Sequence, residues 1–213
     1  MSTLESLKLA VIEGKVAVAR QLTEEAVVSG VKPDDVFAEA LSPAMEEVGR
    51  LMQRSEYYIP EVLISAKAMK ASTAVLRPLI AELGSARSAG TVVIGAAKGD
   101  LHDIGKSLVI MMLEGAGFRV VDLGTDVSHQ RFVEAVREHQ PQVVGISALL
   151  TTTMLQMAEV VKALEQEGLR SKVRVMVGGA PVNHRFSDEI GADGFGRDAS
   201  SAVELARSWV QEM

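Results

Sequence analysis

Residues 99–105 read Gly-Asp-Leu-His-Asp-Ile-Gly, placing His102 two residues after the carboxylate of Asp100. A histidine holds a metal through one ring nitrogen while an acceptor engages the other, fixing the tautomer and raising basicity. The chain has no cysteine, which excludes disulfides, thiolate zinc sites, iron–sulfur clusters and a thiol nucleophile. Any metal must be held by histidine, carboxylate or a ring system. On placement alone, a histidine in such a loop also suits a cap or a surface position. Lys106-Ser107 is similar to a phosphate loop, but that motif needs four residues between its glycines and Gly99 to Gly105 leaves five. His129, His139 and His184 have no carboxylate partner at comparable spacing and read as surface residues.

The elements around His102 give it a place. Thr91 to Ala96 is a β-branched run bounded by glycine, which predicts a buried parallel strand, and Gly105 to Ala116 has the apolar spacing of a helix. His102 therefore falls in a strand-to-helix loop at the carboxyl end of a strand, where open α/β sheets bind ligands. Further strands are predicted at Arg119 to Asp122, Val143 to Ser147, Val173 to Val177 and around Gly194 to Gly196, alternating with helices that end in Ala199 to Met213. Such alternation predicts a five-stranded parallel sheet wound on both faces in the flavodoxin-like, Rossmann-like order. Ser147 and Leu149 follow the third strand and Gly178-Gly179 the fourth, so their loops should open on the same sheet edge as Asp100 and His102.

The first part of the chain has helical periodicity, with helices predicted at Ser2 to Ile12, Val16 to Ser29, Pro33 to Gln53 and Pro60 to Leu83, a four-helix bundle. Pro33 and Pro60 suit first helical turns, whereas Pro43 lies inside the third pattern and should kink or restart it. Residues 82–90 lose the apolar periodicity and gain small residues, which marks a linker between a domain of residues 1–85 and one of residues 86–213.

Composition bounds what such a molecule does. With 47% apolar residues, 213 residues can bury a proper core. The net charge of -6 is spread along the chain, and no basic stripe exists to neutralise phosphates, so nucleic acid is not an expected partner. No apolar run approaches a membrane span and the start lacks a signal-peptide pattern, so the expected location is cytoplasmic, away from membranes.

The ordered set of Asp100, His102 and Gly105, then Ser147 and Leu149, then Gly178 and Gly179, with 41 residues between Gly105 and Ser147 and 28 between Leu149 and Gly178, resembles the signature of the cobalamin-binding domain family. Ser55 to Leu63, Ser-Glu-Tyr-Tyr-Ile-Pro-Glu-Val-Leu, is similar to the entry of the last cap helix in methionine synthase and in the corrinoid proteins of methyltransferase systems. That family often has phenylalanine where Met52 stands and Gly-Glu where Ser55-Glu56 stands.

The resemblance implies a helical cap followed by an α/β domain that holds cobalamin, as methylcobalamin or a related corrinoid, with its own benzimidazole detached from cobalt. His102 matches the protein ligand that replaces it below the metal, Asp100 the carboxylate behind that ligand, and Thr153 a hydroxyl that continues the relay. Proton uptake by His102 and Asp100 offers a route for releasing the ligand as cobalt changes state. Gly178, Gly179, Ser147 and Leu149 match the slot for the nucleotide tail, and Asp198-Ala199 a further segment near it. By family position, Met52, Ile59 and Val62 would cover the upper face of the corrin; as a helical stripe, Ile59 and Val62 equally suit bundle core.

The expected activity is carriage of a methyl group on cobalt, as one component of a methyltransferase system rather than a complete enzyme. Implied partners are a substrate-specific methyltransferase, a methyl-acceptor methyltransferase that passes the methyl to tetrahydrofolate or a thiol, and a reductive activase. The methyl donor is left open among methanol, methylamines, glycine betaine and aryl methyl ethers. Two rivals are a small subunit of an adenosylcobalamin mutase and a cobalamin-sensing regulator. The first has no need of an 80-residue helical cap, and the second would carry a basic helix-turn-helix that this chain lacks.

Overall fold

A computed structural model describes residues 2–83 and 88–212. They form a helical unit in the first part of the chain and an α/β unit that begins at Ser88. Residues 84–87 of the predicted linker lie outside the described residues.

The helical unit contains α1 (Thr3–Ile12), α2 (Val16–Val28), α3 (Pro33–Val36), α4 (Ser42–Gln53) and α5 (Ile59–Leu83). Helix α1 packs on α2 and α4, and α5 packs on α2 and α4, which closes the predicted bundle. Its start is fixed by a reciprocal cap in which Ser2 Oγ accepts from the Glu5 amide and the Glu5 carboxylate accepts from the Ser2 amide. At its end, Ser65 Oγ at 2.7 Å and Tyr57 Oη at 3.1 Å both donate to the Ile12 carbonyl, one of the acceptors a helix end leaves unpaired.

Pro43 falls where the third predicted helix restarts: α4 begins at Ser42 with Pro43 in its first turn. A π-helical turn, Phe37–Leu41, joins α3 to α4, and the Ser42 amide donates to the Phe37 carbonyl five residues back. The wider turn takes up the place where Pro43 lacks a donor, so the backbone stays helical from Pro33 to Gln53. Helix α4 ends in a Schellman motif, with Glu56 N–H donating to Leu51 O and Ser55 N–H to Met52 O. Ser55 occupies the left-handed position at φ +60°, the place glycine normally takes.

In the α/β unit the strands are β1 (Thr91–Ala96), β2 (Arg119–Asp122), β3 (Val143–Ser147), β4 (Arg174–Gly178) and β5 (Gly194–Gly196). They pair in parallel in the order β2-β1-β3-β4-β5, the flavodoxin-like order the sequence predicts. The crossovers are α6 (Ile104–Gly115), α7 (His129–His139), α8 (Thr151–Gln166) and α9 (His184–Glu189), with α10 (Ala199–Glu212) last. Val92, Val93, Val143, Val144, Val175 and Val177 are buried, as strands covered on both faces require, and Phe132 of α7 with Met157 and Leu164 of α8 fill one layer beside them. Each such side chain contributes roughly 1.5–3 kcal/mol by leaving water.

Register decides where the loops emerge. Ala96 pairs with Ser147, Ser147 with Gly178 and Gly178 with Gly196, so four strands end in one row. The loops that carry His102, Leu149 and Gly179 leave from that row on the same edge.

Candidate metal-ligand and cofactor site

At the end of β1 the chain turns through residues 97–103 before α6 begins, and the carboxylate of Asp100 points inward with no exposed side-chain surface. Its Oδ1 accepts the His102 backbone amide at 3.0 Å and His102 Nδ1 at 2.9 Å. Its Oδ2 accepts the Leu149 amide at 2.7 Å and Thr153 Oγ at 2.6 Å. Four donors from three stretches of chain thus converge on one carboxylate. Burial pushes the Asp100 carboxyl up, but the donors Thr153, Leu149 and His102 outweigh burial and hold it well below the usual carboxylate range.

An ionised Asp100 only accepts, so His102 Nδ1 carries the hydrogen between them. In the neutral ring the lone pair then resides on Nε2, on a side chain that is half exposed. The pair thus presents an oriented nitrogen donor at the sheet edge. Among the described residues no group of three or more His, Cys, Asp or Glu surrounds it.

The other expected positions divide by what they meet. Thr153 is buried, and its hydroxyl also receives the Leu150 amide at 3.3 Å. Leu149 faces Asp100 with its backbone amide while its side chain is exposed. Ser147 is half-buried at the tip of β3, and its carbonyl accepts the Ala97 amide at 2.8 Å, tying the His102 loop to that strand.

Gly178 and Gly179 are demanded by the protein itself. A Cβ on Gly178 would lie 2.9 Å from the Gly196 carbonyl oxygen, and one on Gly179, at φ +121°, would collide with the Ala148 carbonyl. Ala199 is buried at the start of α10, whose first turn is closed by reciprocal bonds between Asp198 and Ser201. Gly105 differs from the paired glycines: a Cβ there would meet nothing within 4 Å. Around it, Leu101 and Ile104 are 72% and 71% exposed, with Leu149 and Leu150 also exposed. Bare backbone, outward apolar side chains and one free imidazole nitrogen fit a broad, largely apolar ligand with a metal at its centre.

In the helical unit, Met52 is half-buried and Ile59 exposed, as is Tyr58. Val62 is fully buried on the α5 stripe that includes Ser65, whose hydroxyl reaches Ile12 of α1. That burial suits the bundle-core reading of the stripe. Of the remaining histidines, His184 is exposed with its ring edge-on to Phe195, while His129 and His139 are half-buried rather than at the surface.

Sequence reading missed three contributors. The Leu149 amide, the Lys106–Asp122 ion pair at 2.6 Å, with the lysine side chain 2% exposed, and Asp126 all act through pairings set by strand register, for which local sequence carries no signal.

Residues 90–204 match a family model described as B12 binding domain, and residues 3–77 match a second of the same description. The chain is 40% identical over 208 residues to a corrinoid protein of Desulfitobacterium hafniense, covering 97% of this chain and 96% of that one. It is 44% identical over 191 residues to trimethylamine corrinoid protein 2 of Methanosarcina mazei, covering 89% and 88%. The solved methanol:cobalamin methyltransferase complex of Methanosarcina barkeri contains a chain that superposes with a TM-score of 0.86 at 31% identity, over 99% of this chain and 80% of that one. The chain belongs to the B12-binding family, among its corrinoid proteins. Among the described residues no helix is long and apolar enough to cross a membrane.

Proposed function

We propose that this chain binds a corrinoid and serves as the methyl carrier between two methyltransferases. The observation that carries the reading is the 2.9 Å bond from His102 Nδ1 to Asp100, which leaves Nε2 oriented and half open at the strand ends. When bound, the cobalt of a corrinoid supplies an atom that accepts a methyl group from one partner and yields it to another. His102 alone would suffice as the protein's ligand to such a group, since a ring system holds its own metal.

In this reading His102 would hold the metal and Asp100 fixes its tautomer. Thr153 and the Leu149 amide keep Asp100 ionised, and Asp100 with His102 offers a place for a proton when the ligand must let go. Ser147, Leu149, Gly178, Gly179 and Ala199 border the space for the nucleotide tail, and Gly105 leaves room beside the ring. Residues 1–85 would be the cap domain and residues 86–213 the cofactor domain. Met52 and Ile59, joined by Tyr58, give the cap its apolar cover.

A methyltransferase partner is supported by the relatives, which are named for trimethylamine and for a methanol:cobalamin methyltransferase complex. A substrate-specific methyltransferase loads the carrier, a second one unloads it to tetrahydrofolate or a thiol, and a reductive activase restores oxidised cobalt. All three would act in the cytoplasm.

The test is the electron paramagnetic resonance spectrum of the full chain loaded with hydroxocobalamin and reduced to the Co(II) form. A single axial nitrogen should split the signal, the splitting should change when histidine is labelled with nitrogen-15, and His102→Ala should abolish it. A splitting indifferent to both overturns the assignment. The carrier role requires, in addition, that a purified methylamine or methanol methyltransferase and its substrate methylate the loaded chain.

A further inference from the structure

The His102 loop is held from outside by the segment that follows β2. Ala97 forms a parallel bridge with Val127, and the Val127 amide donates to Ala96 O at 3.0 Å. Beyond that bridge stands Asp126, a non-glycine residue at φ +54°. Its amide donates to the Asp100 carbonyl at 2.8 Å, and its Oδ1 accepts the Gly99 amide, 27 residues away in sequence, also at 2.8 Å. Asp126 therefore grips the backbone on both sides of the Asp100 Cα. An aspartate that merely shaped its own turn would bond its own loop; this carboxylate crosses to another. Lys98 Nζ lies 2.9 Å from the same oxygen. Lys98 first, then the Gly99 amide, hold the Asp126 carboxyl below its ordinary value, so it is an ionised acceptor.

The far end of the loop is tied in the same way. The Lys106 ammonium, buried in the first turn of α6, donates at 2.6 Å to Asp122, which also accepts the Gly124 amide at 2.9 Å. Two aspartates flanking one turn thus splint both ends of the segment that carries His102. Asp122 holds the helix start, whereas Asp126 holds the residue whose carboxylate meets the imidazole.

We propose that Asp126 is a positioning residue for His102: by clamping the Gly99 amide and the Asp100 carbonyl it fixes the Asp100 backbone so that its carboxylate holds Nδ1–H and leaves Nε2 as the donor. The inference rests on the reading of His102 as the cobalt ligand, but its effect on the ring is measurable without cofactor. Asp126→Gly keeps the left-handed backbone and removes the acceptor; Asp126→Asn keeps both the acceptor oxygen and tolerance of positive φ.

In the cofactor-free full chain, nitrogen-15 imidazole resonances should show one tautomer, with hydrogen on Nδ1, in the wild type and in Asp126→Asn. Asp126→Gly should shift the ring to a mixture of tautomers and weaken hydroxocobalamin binding about tenfold. Should Asp126→Gly fail to fold, Asp126→Glu, which retains the charge and misplaces the oxygen by one methylene, must give the same mixture. A wild-type tautomer in a folded Asp126→Gly, or in Asp126→Glu, overturns the proposal whatever happens to stability. If the tautomer shifts as expected while labelled histidine leaves the Co(II) signal unchanged, the clamp stands and the ligand assignment falls.

Discussion

Thr153 Oγ donates to Asp100 Oδ2 at 2.6 Å, a bond between side chains 53 residues apart that joins the first turn of α8 to the loop after β1. Because Asp100 is wholly buried, a lost donor is not replaced readily by water. Thr153→Val, which keeps the shape and removes the hydroxyl, should cost about 1.5–3 kcal/mol, as expected for a hydrogen bond to a charged group. Thr153→Ser should recover most of it. Urea denaturation of the two variants measures the difference.

The same carboxylate gives stability a pH dependence of known sign. Asp100 is depressed in the folded chain, where the opposing effect of burial is outweighed by Thr153, Leu149 and His102, and an unfolded aspartate titrates near about 3.9. Below that value the unfolded chain binds the proton more readily, so the contribution of Asp100 is fully present above it and is lost as pH falls through the folded value. The stability advantage of wild type over Asp100→Asn should therefore be constant from about pH 7 to 5 and shrink toward pH 2. Paired denaturation curves at each pH check it; an advantage that grows on acidification contradicts the assignment.

Ser55 stands at the left-handed position of a complete Schellman motif, with φ +60°. Left-handed backbone costs a residue with a side chain about 1–2 kcal/mol, and glycine avoids that cost while losing about 0.4–1 kcal/mol through a freer unfolded chain. Ser55→Gly should consequently stabilise the cap by about 0.5–1 kcal/mol and leave cobalamin affinity unchanged. Thermal unfolding with and without hydroxocobalamin tests both parts.

How much of this was readable without coordinates depends on the range of the interaction. The buried runs of β1 and β3 announced themselves because parallel strands need apolar residues on both faces, and the Asp100 and His102 pairing is a contact across two residues. Asp126 and the Lys106–Asp122 pair are joined to the site only through the register of β1 against β2, which no local pattern encodes. Pro43 was legible as a restart because proline suits a first helical turn, whereas the π-turn that joins α3 to α4 ahead of it has no pattern of its own in the sequence. Val62 suited two readings because a helical stripe is the same in sequence whether it faces a neighbour helix or a ligand, and the bond from Ser65 to Ile12 on the same stripe is visible only in three dimensions.

Glycines at the site separate what the fold requires from what a ligand requires. A methyl group on Gly179 would strike the Ala148 carbonyl at a φ of +121°, so Gly179→Ala must displace the end of β3 and should destabilise the α/β unit by about 3 kcal/mol or more even in the absence of cofactor. A methyl group on Gly105 would meet open space in an exposed first helical turn, where alanine is the better helix former by about 1 kcal/mol. Gly105→Ala should thus leave the free protein as stable as wild type or more so. If the bare backbone there makes room for the corrin beside His102, the same variant should bind hydroxocobalamin about tenfold more weakly, a pattern that a purely structural glycine cannot produce. Calorimetric stability and equilibrium binding on the two variants decide it: Gly179→Ala should lose folding first, Gly105→Ala affinity alone.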